Sequence, residues 1–357
     1  MPNLLRIPAP LDPHVHLRGM AWAHKGNFAS ETAAALAGGY TCICDMPNTP
    51  PETISRAALD SKLAALSAEA LCDWGVYYGA SAEDNTVSFP EVIDQVCGLK
   101  MFCNETTGNL LIEDPATRAA HFQAWPRQRP IAVHAEGQTV AEILMLVRQT
   151  RQRTHFLHIS TAEEIDLLRV AKADGLPVTI GVCPHHLWLT VDDLPALGAF
   201  GHMKPGLKTR TDRDALWQAL TDGLIDCVES DHAPHTREEK QRPIAPYGVP
   251  GLETTLPLLF TAVQQGRLTA ERAVALVSSG PRGLWNMPAP ADTYAEIDLD
   301  ADFVLSDADL HTACGWSPFS GMRLNARVVR TVVRGVTAFE NGQIRVSPGF
   351  GRNAYAV

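Results

Sequence analysis

Eight short apolar runs punctuate this chain, and an amphipathic stretch follows each of them. That alternation predicts strands feeding helices that pack back onto the sheet, which leaves few architectures open. The runs lie at about 4–16, 40–46, 74–80, 98–103, 131–134, 154–159, 178–183 and 226–230. The helix candidates lie at about 28–37, 56–70, 89–96, 115–125, 139–151, 162–173, 211–223 and 253–265. Ser160-x-x-Glu163 reads as a capping box opening a helix just after a strand. Gly38-Gly39 and Gly175 read as helix stops.

Eight strands alternating with eight helices is the count for an α/β TIM (β/α)8 barrel. A doubly wound open sheet is the rival. It requires a phosphate-binding loop at the first strand–helix turn, and the sequence has none there. From about 294 the pattern changes to short β-like runs at 326–334 and 336–339, with a hairpin turn at Glu340-Asn341-Gly342. The expected organisation is a hydrolase barrel over 1–290 and a small β extension over 291–357, built mainly from the C-terminal segment and packed on the barrel.

Composition narrows the function class. No apolar run reaches the roughly 18 residues of a membrane span, and the N-terminus has no signal-peptide layout. The net charge is −10 with no basic stripe, which disfavours nucleic acid and anionic membranes. Eight cysteines form no C-x-x-C pair, so free thiols in a reducing cytoplasm are expected. Cys42 and Cys44 read as small core residues.

In a TIM barrel the chemistry sits where strands end. The first strand ends in His14-Val15-His16, whose imidazoles share one face because strand side chains alternate. The second runs into Asn48. The fourth carries Lys100 among apolar neighbours, a placement rare enough to require a reason. The fifth ends at His134, the sixth at His158 and the eighth at Asp231, while the seventh leads into Cys183-Pro184-His185-His186. Taken singly, each is as well explained by a core hydrogen bond or a turn. Jointly, four histidines and one aspartate at one rim suit zinc or a similar divalent ion. Burial lowers a lysine's pKa, and a neutral amine takes up carbon dioxide to give a carbamate, an anionic two-oxygen ligand. Lys100 thereby becomes a bridge between two ions. His185 and His186 read as structural or supporting residues.

The order His-x-His, lysine, His, His, Asp resembles the binuclear amidohydrolase superfamily. Asp12-Pro13-His14-Val15-His16-Leu17-Arg18, Met46-Pro47-Asn48-Thr49, Gly98-Leu99-Lys100, Asn104-Glu105-Thr106 and Ser230-Asp231-His232-Ala233-Pro234-His235 resemble dihydroorotase. The likeness is strongest to the dihydroorotase domain of the animal multifunctional pyrimidine-synthesis enzyme. It covers nearly the whole chain, including Pro250-Gly251-Leu252-Glu253-Thr254 and Trp316-Ser317-Pro318-Phe319.

This resemblance implies two Zn2+ per chain, one on His14 and His16 with Asp231, the other on His134 and His158. Carboxylated Lys100 and a hydroxide bridge them, and the hydroxide attacks the ring amide carbonyl with Asp231 as general base, then acid. Dihydroorotate and N-carbamoyl-L-aspartate would interconvert, a step of pyrimidine biosynthesis. Arg18, Asn48 and His235 would hold the substrate carboxylate, with Thr106, Thr107, Lys204 and Gly251 as further contacts and 104–109 as a mobile cover. A homodimer and a transcarbamoylase are the partners it suggests. The chain departs from the family pattern at Gly26, Thr107 and the segment Met203–Leu207, and its N-terminal β segment is short. Two alternatives stand beside this reading: another cyclic-amide hydrolase of the allantoinase or dihydropyrimidinase type, and a non-catalytic scaffold for a transcarbamoylase. Arg18 separates the first of these, because a substrate without a carboxylate strands an arginine in a closed site.

Overall fold

The computed structural model describes residues 3–355. Strands β2 (Leu11–Val15), β3 (Cys42–Asp45), β4 (Asp73–Gly79), β5 (Gly98–Phe102), β6 (Ile131–His134), β7 (Thr154–Phe156), β8 (Val178–Val182) and β9 (Cys227–Val228) form one parallel sheet in sequence order. The circle closes where β9 meets β2. There the His16 N–H donates to the His232 carbonyl at 2.7 Å. The Asp12 carboxylate accepts the Ser230 N–H at 3.2 and 3.3 Å, so a side chain supplies the acceptor that a two-residue strand cannot meet with backbone.

The expected first strand over 4–16 is in fact two. Neither Pro8 nor Pro10 has an N–H to donate, and Ala9 between them takes a left-handed φ of 39°. The chain breaks there, and β1 (Leu4–Pro8) joins a different sheet. That sheet runs β1, β10 (Tyr294–Asp298), β13 (Arg327–Val333), β14 (Val336–Glu340), β15 (Gln343–Ile344), all antiparallel. The short pair β11 (Phe303–Val304) and β12 (Arg323–Leu324) lies apart. The turn between β14 and β15 holds Asn341 and Gly342 at φ 47° and 80°, as the Asn-Gly pair requires.

Helices cover the barrel. Phe28–Ala37 ends at Gly38 as expected, and Leu252–Gln264 is buried along most of its length against the second sheet. The capping box lies one residue later than the sequence suggests. Thr161, not Ser160, caps Ala162–Ala173, accepting the Glu164 N–H at 3.2 Å while the Glu164 carboxylate accepts the Thr161 N–H at 3.0 Å. Helices outside the expected set include Ala270–Val277, which Thr269 caps, and Ser279–Leu284 with its Gly280, Pro281 and Gly283. The second lies against the N-terminal arm, where the Arg282 Nε donates to the Ala9 carbonyl at 2.5 Å. The C-terminal residues return to the barrel as well. The Trp74 N–H donates to the Arg352 carbonyl at 2.9 Å, and the Tyr355 hydroxyl to the Trp285 carbonyl at 2.7 Å.

Candidate metal centre and substrate cleft

His14 lies on β2 and His16 just beyond it, Lys100 on β5, His134 at the end of β6, and His158 and Asp231 just past β7 and β9. The structure brings these six together. The Asp231 Oδ1 lies 3.1 Å from the His14 Nε2 and 3.3 Å from the His16 Nε2. The His134 and His158 rings pack at 4.5 Å between centroids, and His14 meets His158 at 5.2 Å. Burial depresses all four imidazoles, His14 to about 4, so each is neutral at pH 7 with a lone pair free for a ligand.

Lys100 is fully buried, and among the described residues its Nζ has no hydrogen-bond partner. Burial pushes its pKa down to about 8, although Asp231 and Glu229 pull the other way. An unpaired buried ammonium is costly, whereas a neutral amine or its carbamate suits this position. Donor set, neutral histidines and orphaned amine therefore fit a pair of divalent ions. Arg18, His158 and Asp231 all take left-handed backbone, with φ of 63°, 36° and 45°. Such strain persists where the surroundings over-determine a conformation, commonly at functional sites.

Beside this centre lies a small cleft whose lining includes Arg18, Asn48, Thr106, Thr107 and Lys204, together with His16 and Asp231. The buried Arg18 guanidinium donates from Nε to the Pro234 carbonyl at 3.0 Å, and its Nη2 lies 3.0 Å from the His235 Nε2. Its Nη1 has no partner among the described residues. Burial lowers its pKa only to about 10, which leaves it cationic at neutral pH. His235 stands behind Arg18, its Nδ1 3.2 Å from the Lys25 Nζ, and burial followed by Arg18 and Lys25 keeps it neutral.

Asn48 joins the two sides. Its Oδ1 pairs with the His16 Nδ1 at 2.7 Å, and its Nδ2 donates to the Thr107 carbonyl at 2.9 Å. The Thr107 hydroxyl donates to the Tyr247 carbonyl at 3.0 Å, so the 104–109 segment lies across the cleft. Gly251 sits elsewhere. It caps Leu252–Gln264, its N–H donates to the His232 Nδ1 at 3.1 Å, and it lines a separate hollow with Leu310 and Thr312. His186 pairs its Nε2 with the Pro205 carbonyl at 2.9 Å, holding the loop that carries Lys204.

Sequence reasoning overlooked Glu229 and Tyr247. Glu229 directly follows the strand Cys227–Val228 and precedes Asp231 by two, but in the polar sequence Asp226-Cys227-Val228-Glu229-Ser230 an acid does not stand out as Lys100 does among its apolar neighbours. Burial opposes its charge, but His14 and His155 outweigh that and hold Glu229 well below the usual carboxylate range. Tyr247 lies in a loop and carries no signal either.

Comparison with known proteins identifies the family and the scaffold. The profile of the amidohydrolase family matches residues 6–338. The chain is 43% identical over 99% of its length to the multifunctional protein CAD of Squalus acanthias, but spans only 16% of that protein. A dihydroorotase of Halobacterium salinarum is 35% identical, with 96% of this chain and 88% of that one covered. Among solved structures, an L-hydantoinase (dihydropyrimidinase) from Arthrobacter aurescens superimposes with TM-score 0.93 at 25% identity, over 98% of this chain and 88% of that one. An inactive dihydroorotase-like domain of a Chaetomium thermophilum CAD-like protein gives 0.81 at 26%, over 98% and 99%. The match spans nearly the whole barrel, and the chain belongs to the amidohydrolase family.

Proposed function

We propose that this chain is a zinc-dependent dihydroorotase, interconverting dihydroorotate and N-carbamoyl-L-aspartate. The observation that carries the reading is the unpartnered Nη1 of the buried Arg18, in a cleft that also contains Asp231. A guanidinium with a free donor grips a carboxylate well and serves a neutral ring poorly. The hydantoinases that share the fold do not argue against this, because fold alone does not set substrate.

His14 and His16 with Asp231 would hold one Zn2+, and His134 with His158 the other, while Lys100 as its carbamate serves both. When bound, such ions lower the pKa of water toward about 7 and polarise a carbonyl. The chain's own residues do the rest. Arg18, held from behind by His235 and with Asn48 beside it, fixes the substrate carboxylate and so the ring. Thr106, Thr107 and Lys204 enclose it. Gly251 contributes by fixing His232 behind the rim. Asp231 takes a proton from the water that adds to the ring carbonyl. It then delivers that proton to the ring nitrogen as the C–N bond breaks, giving the ureido acid. Reversal closes the ring and releases water.

No helix among the described residues is long and apolar enough to cross a membrane. Eight free, buried cysteines suit a cytoplasmic setting. The chain matches a segment of multifunctional relatives, which suits association with a transcarbamoylase; a homodimer is the further partner in this reading. The deciding experiment assays dihydroorotate, carbamoyl aspartate, hydantoin and allantoin side by side, with and without a chelator. Chelator-sensitive turnover confined to the first two is expected. Preference for hydantoin or allantoin overturns the substrate, and no turnover at all favours the scaffold.

A further inference from the structure

Glu229 takes no part in the reaction above, yet it touches ligands of both metal positions. It is fully buried, two residues before Asp231. Its Oε1 accepts the backbone N–H of His158 at 2.5 Å and lies 3.7 Å from the Nδ1 of His14. That nitrogen has no hydrogen-bond partner among the described residues. The other oxygen lies 3.4 Å from the His155 Nε2. His14 belongs to the Asp231 side of the centre and His158 to the His134 side.

The chemistry of an imidazole ligand gives this contact a purpose. The His14 Nε2 faces Asp231, so a ligating His14 keeps its lone pair there and its proton on Nδ1. At 3.7 Å the carboxylate is beyond direct hydrogen-bond distance, but its charge favours the tautomer protonated on Nδ1 and so leaves the Nε2 lone pair for a ligand. At His158 the same carboxylate ties down the N–H of a residue in strained, left-handed backbone. The neighbouring strand leaves room for this. A Cβ at Gly181 on β8 would lie 2.5 Å from the Glu229 Oε1 and 2.8 Å from the His155 Nε2.

We propose that Glu229 is a positioning residue for both metal positions, and that its charge, rather than its bulk, sets how tightly the ions are held. The proposal rests on the metal-dependent reading above. A competing use of the same atoms exists, since donor atoms of His155, Cys227 and Glu229 lie within 4.8 Å of one another and could hold an ion of their own.

The test measures zinc per chain and zinc affinity by chelator competition on the full chain, with circular dichroism of each metal-free variant. Glu229→Gln keeps the size and removes the charge. Zinc affinity about 10- to 100-fold weaker is expected, with lower kcat and a KM for dihydroorotate near wild type, because Arg18 and Asn48 are untouched. A Glu229→Ala/Gly181→Asp double variant brings a carboxylate to this region from the next strand, with the His155 ring shifting to admit the new Cβ, and is expected to recover part of the affinity. Wild-type zinc affinity in Glu229→Gln overturns the proposal. A third zinc in the wild type that Cys227→Ser removes also overturns it, because Glu229 would then be a ligand. If Glu229→Gln does not fold, the double variant decides: folded with restored affinity supports the proposal, folded without it does not. A wild-type chain that binds no zinc defeats the underlying reading and this one with it, a result distinct from two zincs held equally by wild type and Glu229→Gln.

Discussion

The proposed metal side and the proposed carboxylate side of this site are built differently. The metal-side residues sit on strands or within a few residues of their ends, positioned by barrel register. Phe102 pairs with His134 across β5 and β6, and Lys100 with Ala132. The carboxylate side comes from loops that hold one another through Asn48, Thr107, Tyr247 and His235. The rigid half suits chemistry that tolerates little misplacement, and the loop half suits a ligand that must enter and leave. Leu17 stands between His16 and Arg18, where the halves meet. Its N–H donates at 2.8 Å to Asp45, whose other oxygen pairs with the buried Lys62 at 2.6 Å.

Removing a shared metal-side residue should break the comparison most. Lys100→Ala is expected to lose zinc and to lower kcat/KM about a thousandfold or more, since metal assistance is worth several kcal/mol. Two zincs retained per chain, by elemental analysis, would sink the carbamate assignment. Next is the joint between the halves. Lys62→Met leaves the Asp45 charge buried without its partner and should cost about 3–5 kcal/mol in denaturant melts. A loss under about 1 kcal/mol would mean that Asp45 holds Leu17 without Lys62. Arg18→Ala should cut kcat/KM for dihydroorotate about 100-fold while zinc stays at the wild-type level. Parallel loss of zinc would join the two sides into one unit.

The same division explains what could be read in advance. His14, His16, His134, His158 and Asp231 were legible because a strand period of two and a barrel's common rim turn spacing into position. Lys100 was legible because a lysine in an apolar run breaks the pattern, whereas Glu229 lies in a polar strand end, Asp226-Cys227-Val228-Glu229-Ser230, where an acid leaves no such mark. The split at Ala9 was foreshadowed by Pro8 and Pro10, but where the freed arm would go depended on pairing with β10, almost the whole chain away. Tyr247 and the role of Asn48 as a link between the halves could not be read, because loop-to-loop hydrogen bonds leave no periodic trace. Gly251 matched a motif, yet its N–H is spent on His232. A motif shows that a residue belongs to the site's neighbourhood, not which atoms face the ligand.

The smallest test addresses the cover itself. Two bonds hold Thr107 across the cleft, and only the hydroxyl bond to the Tyr247 carbonyl depends on its side chain. Thr107→Val keeps the shape and the backbone bond to Asn48 while removing that donor, a change worth about 1 kcal/mol. If the closed arrangement is the binding-competent one, that loss lowers its population and raises KM for dihydroorotate about fivefold. Zinc content should hold, and hydrogen exchange over 104–109 should quicken while β5 and β6 stay protected. An unchanged KM with faster exchange would show that the cover opens independently of binding. The carboxylate side would then reduce to Arg18 and its immediate neighbours. A loss of zinc would instead carry the disturbance through Asn48 to His16, making that one amide the mechanical link between the two halves.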